Sequence, residues 1–295
     1  MNRVSAPAAP APVSTAAFLC LLAGGCAIAF APILVRLSDT GPVASAFWRC
    51  ALAAPVLCAW ALYARGARSA PIPAVTLIAA GLFFAADLGV WHWSIVYTSV
   101  ANSTLLANLA PIFVTLAGWL LWRQAVTRTF LAGMVLALAG MFILVGPHFA
   151  SGGTRLLGDA LGALTAVFYA AYMLVIKSAR DAQASTARLM AWSTTITALA
   201  LLPVALISPQ PLLPASSAGW LVLFALALVT QILGQGLIAY AFAHLPASLS
   251  SVALLIQPVV AALFAWLLFG EAIGLAQFVG GAIVLGGIWL ARKGS

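Results

Sequence analysis

Apolar residues run along this chain in ten long stretches, at approximately 16–36, 42–64, 72–97, 100–122, 128–146, 157–177, 186–207, 217–243, 247–269 and 273–291, each closed by Gly, Pro or a small charged cluster. About 20 apolar residues suffice for a helix to cross a roughly 30 Å hydrocarbon layer. The pattern therefore predicts ten transmembrane helices and leaves little chain for a separate soluble domain. The run from Phe18 to Val35 is long enough to remain as the first span rather than be cleaved as a signal peptide.

Part of this pattern is written twice. Residues 98–144 read again 147 positions later as 245–291, without a gap. Pro111 matches Pro258, Trp119 matches Trp266, Ser103 matches Ser250, and Gly133 and Gly140 match Gly280 and Gly287. Five spans per half is an odd number, so the second copy enters the membrane upside down relative to the first. The loops agree: the connection after the fourth span holds Arg123 and Arg128, whereas its counterpart around Gly270 and Glu271 holds no arginine. The expected organisation is a disordered tail over 1–15, a first repeat over 16–146, a connecting loop over 147–156 and a second repeat over 157–292.

Composition narrows the class further. Hydrophobic residues make up 64% and charged residues 6%, against about 25% charged in soluble domains. The net charge of +8 is spread between apolar runs and forms no continuous basic face, so nucleic acid is not an expected partner. Counted from a cytoplasmic N-terminus, the even-numbered connections and the two tails hold ten of the thirteen basic residues, with Arg36, Arg49 and Arg155 elsewhere. By the positive-inside rule both termini are expected in the cytoplasm. The four cysteines, Cys20, Cys26, Cys50 and Cys58, lie in apolar runs and read as packing residues without metal or disulfide spacing.

Within the spans the polar residues stand out. Asp87 falls near the middle of the third span, on a stripe with Trp91, Ser94 and Thr98. An Asp at that depth costs on the order of 2.5–3.5 kcal/mol on insertion scales, so it faces protein or water. A hydrogen-bonded structural Asp and a proton-coupling or substrate-amine site are two readings of equal weight. His92 lies about 140° around the helix from Asp87, where a structural histidine outweighs a proton shuttle. Thr104, Asn108, Pro111 and Thr115 share a stripe on the fourth span, Gln231 and Gln235 lie one turn apart on the eighth, and Gln257 directly precedes Pro258. Interhelical hydrogen bonding and the lining of a solute path both account for them. Pro111 and Pro258 break the helical ladder at matched positions, where a transporter places a central cavity and its hinges. Tyr169, Tyr172, Tyr240 and Trp91 complete an expected aromatic-lined pocket. The paired glycines at seven-residue spacing are read as helix-packing positions.

With Gly41-Pro42-Val43-Ala44-Ser45-Ala46-Phe47-Trp48-Arg49 opening the second span, Tyr97 through Asn102 leading to Pro111, and Gln257-Pro258 running on through Phe269-Gly270-Glu271-Ala272, the chain resembles the drug/metabolite transporter superfamily. Within it, the chain resembles the EamA-type ten-helix members over residues 16–292, and the YddG-like aromatic amino-acid exporters among them. The resemblance implies an all-α integral membrane protein whose ten transmembrane helices form two inverted five-helix repeats around a central cavity. It further implies alternating access and export or exchange of small metabolites such as amino acids, in the bacterial inner membrane. Arg49 and Glu271 match the family's arginine at the second helix and glutamate between the ninth and tenth, while Gln124 stands where many members repeat that glutamate. Arg49 is weighed as one half of a gate pair with Asp39 or as a ligand for a substrate carboxylate. No metal cluster, nucleophile with its base, or phosphate loop appears, so neither an enzyme nor a cofactor is expected. A channel and a membrane-embedded lipid-handling protein are the competing readings, and the oligomeric state stays open, a monomer being compatible with the sequence.

Overall fold

The computed structural model describes residues 14–64, 70–98, 100–145, 155–270 and 273–295. The expected N-terminal tail falls almost entirely outside them, as do most of the 147–156 loop and Glu271. Ten helices among the described residues are long and apolar enough to cross a membrane: spans 1 to 10 are Thr15–Leu37, Pro42–Tyr63, Ala74–Tyr97, Asn102–Trp122, Arg128–Val145, Leu156–Asp181, Thr186–Ile207, Ser217–Ala241, Ala247–Phe269 and Leu275–Lys293.

Inversion of the halves is visible where spans 5 and 10 cross. A Cβ on Gly133 would lie 2.8 Å from the Gly287 carbonyl oxygen, and one on Gly140 would lie 2.8 Å from that of Gly280. The order of contacts runs opposite along the two helices, so the spans are antiparallel. Exchanging the repeats turns each contact into the other, which places the pseudo-twofold axis at this crossing. Small residues let the two backbones meet. The remaining packing obeys the same exchange: span 3 packs on spans 6 and 7 and span 4 on span 6, while span 8 packs on spans 1 and 2 and span 9 on span 1. Span 2 packs on span 7. Each repeat thus completes its core with helices of the other.

Three spans are interrupted. Span 4 divides into Val100–Ala107 and Ala110–Trp122, with Pro111 at the start of the second piece. Span 9 divides into Ala247–Ala253 and Ile256–Phe269, with Pro258 in the corresponding place. Proline has no N–H to donate and crowds the carbonyl four residues earlier, and the chain answers with a turn at Asn108–Leu109 and at Leu254–Leu255. Span 1 breaks as well, between Ile28 and Ala31, where Pro32 opens its second piece. Pro55 and Pro203 sit inside continuous helices in spans 2 and 7, so proline alone does not decide a break. Span 8 departs from α geometry differently, passing through a π-helical segment over Leu226–Gln235.

Candidate functional site

The three broken spans converge on one cavity of about 190 Å³. That is below the roughly 300 Å³ at which pockets for drug-sized ligands begin and corresponds to about six water volumes. Asp87, Trp91, Thr104, Asn108, Tyr169, Gln235, Gln257 and Pro258 line it, together with Arg49 and His92. Span 1 contributes an apolar wall from Ile28 to Val35. The lining lies chiefly in the half of the bundle that holds the end of span 1 and the start of span 2, with Gln235 reaching it from beyond the middle of span 8.

Arg49 comes from the first third of span 2 and is 6% exposed. Its Nε donates to Gln231 Oε1 at 3.0 Å, and Gln231 Nε2 donates to Thr194 Oγ1 at 2.9 Å, tying spans 2, 8 and 7 together. The guanidinium carbon lies 5.7 Å from the centroid of Phe84, which is itself stacked on Tyr172 at 4.6 Å. Arg49 lines the cavity with Nε engaged, and a guanidinium so held keeps its two Nη groups available to bind a carboxylate with two parallel hydrogen bonds. Asp87 and Arg49 are close enough for their charges to act on each other. No direct ion pair joins them; the ion pair between described residues is Lys177 with Asp181, at the end of span 6.

Arg49 and Asp39 are not paired in this structure. Asp39 Oδ2 accepts from the backbone N–H of Ala215 at 3.1 Å, that of Ser216 at 3.1 Å and the Ser216 hydroxyl at 2.9 Å. It therefore fixes the loop before span 8 and lends negative charge to that helix's N-terminus, which favours it. Arg49 turns the other way, into the bundle.

Tyr240 is likewise not a cavity residue. It is 46% exposed and packs on His244. Five residues beyond Gln235, on the α-helical end of span 8, it lies about 140° around the helix from that cavity residue. Tyr172 stands behind the lining, fully buried between Phe84 and Tyr169. Gln231 also stands behind it, as the partner of Arg49. Pro111 is buried at the break in span 4 without facing the cavity, whereas Pro258 faces it.

The stripe on span 3 divides. Asp87 and Trp91 face the cavity, but Ser94 donates to the Gly158 carbonyl at 2.7 Å and Thr98 to Asp159 Oδ1 at 2.7 Å, fastening spans 3 and 6 near their ends. His92, set off the Asp87 stripe by helical arithmetic, also lines the cavity. Asn108 donates to the Thr104 carbonyl one turn back at 2.8 Å. Tyr169 lies beside the amides of Gln235 and Gln257. The sequence reading passed over Phe84, Thr194 and the span 1 wall; Pro32, placed within its span as Pro111 and Pro258 are, was the available signal for the last.

The EamA-like transporter family matches this chain over residues 14–146 and again over 156–292. The chain belongs to the EamA-like transporter family. It is thereby a multi-pass membrane transporter of the drug/metabolite transporter superfamily, whose members are named as transporters and not as enzymes. The relatives it matches include an "uncharacterized transporter" of Archaeoglobus fulgidus, 26% identical over 75% of this chain and 77% of that one. The pseudopaline exporter CntI of Pseudomonas aeruginosa is 25% identical over 71% and 72%. A probable terminal-alkyne amino-acid exporter of Streptantibioticus cattleyicolor is 27% identical over 90% and 89%. A solved crystal structure superposes with a TM-score of 0.78 at 20% identity, covering 94% of this chain and 98% of that one, and shares the fold.

Proposed function

We propose that this transporter exports or exchanges small zwitterionic metabolites, amino acids foremost, by alternating access through the central cavity. The observation that carries this reading is the pairing of Arg49 and Asp87: opposite charges line one small cavity in the membrane interior without bridging each other. Charges at that depth are costly and are kept where they pair or serve a solute. Arg49 Nη groups suit a carboxylate and Asp87 suits an ammonium, so a solute carrying both replaces the missing ion pair. Two relatives named as exporters, one of them of an amino acid, support the class of solute. The aromatic faces of Trp91 and Tyr169 line the same space, and its small volume favours short side chains.

The distribution of basic residues supports cytoplasmic termini, which makes this an outward-facing conformation, and the bacterial exporters among the relatives support an inner-membrane placement. Asp87, with His92 one turn nearer the mouth, is the proposed proton-coupling element. Saturable, concentration-dependent amino-acid flux in proteoliposomes is the expected result, and currents that never saturate would favour a channel instead. Asp87→Asn is expected to abolish flux driven by a proton gradient while keeping simple exchange; unchanged flux in both assays removes Asp87 from the mechanism.

A further inference from the structure

Two neutral side chains of the cavity are left incomplete. His92 and Gln235 are 3% and 2% exposed, both line the cavity, and each holds one polar atom, Nε2 and Oε1, with no hydrogen-bond partner. The sense of the ring atom is fixed by its contact. A carbonyl oxygen only accepts, so the contact of His92 Nδ1 with the Leu88 carbonyl places the ring proton on Nδ1 and leaves Nε2 a bare acceptor in the neutral imidazole. An amide Oε1 is an acceptor in any case.

Buried acceptors without partners are rare in native proteins, because their desolvation is uncompensated. Here two occur in the cavity that also holds the Asp87 carboxylate, which accepts no hydrogen bond from a described residue. Three acceptors that receive no hydrogen bond complement one chemical group in particular: a primary ammonium, whose three N–H bonds need three acceptors. Resting on the reading that the cavity carries zwitterions, we infer that Asp87, His92 and Gln235 together recognise the primary ammonium of the solute and thereby select primary amines over N-alkylated ones.

Solvent does not reach either neutral acceptor in this state, and an ammonium, of about the same size as water, does not reach them either. Only a movement of the walls around a bound amine satisfies them, and a ligand shifts a conformational equilibrium by its differential contacts in the two states. The same two atoms therefore give the amine leverage over closure of the cavity. Arg49, the cavity's cation, stays reserved for the carboxylate.

The test uses the full chain in proteoliposomes. The twenty proteinogenic L-amino acids are screened for counterflow, and the one with the largest signal is compared with its N-methyl and N,N-dimethyl derivatives as competitors. The N-methyl form is expected to compete about tenfold more weakly and the dimethyl form about a hundredfold. His92→Phe and Gln235→Leu are each expected to narrow that gap, and Gln235→Glu, which keeps an acceptor, to preserve it. A gap that persists undiminished in the Phe and Leu variants is steric and overturns the inference. Equal competition by amine and N-methyl amine in the wild type overturns it without any variant having to fold, and leaves the carrier reading standing. No counterflow with any of the twenty removes that reading, and the inference with it.

Discussion

At the scale of single residues, Arg49 and Asp39 show how a charge is used in lipid and at its edge. Arg49 is held by Gln231 from one side and lies over Phe84, so its guanidinium is oriented before any solute arrives. Preorganisation of this kind lowers the cost of binding. Gln231→Leu removes the hydrogen bond but keeps the volume, and is expected to raise KM for the transported amino acid several-fold with a smaller change in maximal rate. Arg49→Lys, which cannot offer a planar fork, is expected to raise KM by tenfold or more. Asp39 is expected to behave as a structural residue: Asp39→Ala lowers stability by about 1–2 kcal/mol, the range for losing a helix cap, and leaves KM unchanged. Thermal unfolding of Asp39→Ala, Arg49→Met and the double variant checks this, since a gate pair would show coupling between the two sites and independent sites add.

At the scale of elements, spans 5 and 10 cross backbone to backbone, whereas spans 1, 4 and 9 are interrupted, and we propose the interruptions as the hinges of the transport cycle. A Cβ at Gly140 would stand 2.6 Å from the Val284 backbone nitrogen, and one at Gly287 would stand 2.4 Å from that of Ala137. Neither backbone can retreat without parting the two helices. Gly140→Ala and Gly287→Ala are therefore expected to cut the yield of folded protein sharply, read as the monodisperse fraction after detergent extraction. Gly286, one residue away on the same helix, has nothing within 4 Å of its Cβ position, so Gly286→Ala is expected to be neutral or stabilising by up to about 1 kcal/mol. The spans, their number and the matched breaks at Pro111 and Pro258 were legible because length, apolarity and proline stereochemistry act locally. The facing of side chains was less so. A helix apolar all round carries no stripe to say which side is inward, and that is why Tyr240 is expected in the site and Phe84 is not, while Asp39, in the loop between spans 1 and 2, finds its partners in a loop distant in sequence. The π-helical segment of span 8 had no local signature either. It appears where Gln231 reaches Arg49 and Thr194 while Gln235, one turn on, reaches the cavity, a widening set by partners on other helices.

At the scale of the whole molecule, a repeat scaffold that is symmetric carries a site that is not. Asp87 corresponds in the repeat register to Gly234, and Gly234 is where span 8 meets span 1: a Cβ there would lie 2.8 Å from Ile28 Cγ1, and one on Gly24 would lie 2.8 Å from the Gly234 carbonyl oxygen. The position that bears the carboxylate in one half bears a close helix crossing in the other, so exchanging the two halves does not reproduce the site. The conformation described here holds its cavity on the side of Val35 and Ala261. Alternating access requires that this side close when the other opens, and a bound solute biases that exchange only by its differential contacts. On a background in which Cys20, Cys26, Cys50 and Cys58 are replaced, Val35→Cys is therefore expected to react with a membrane-impermeant thiol reagent added from the periplasmic face. Arg128→Cys, at the exposed start of span 5, is expected to react only from the cytoplasmic face. Saturating amino acid is expected to slow labelling at Val35→Cys several-fold and leave Arg128→Cys unchanged. Labelling of Val35→Cys only from the cytoplasmic face would reverse the orientation drawn from the basic loops, and labelling indifferent to amino acid would detach the cavity from the transport cycle.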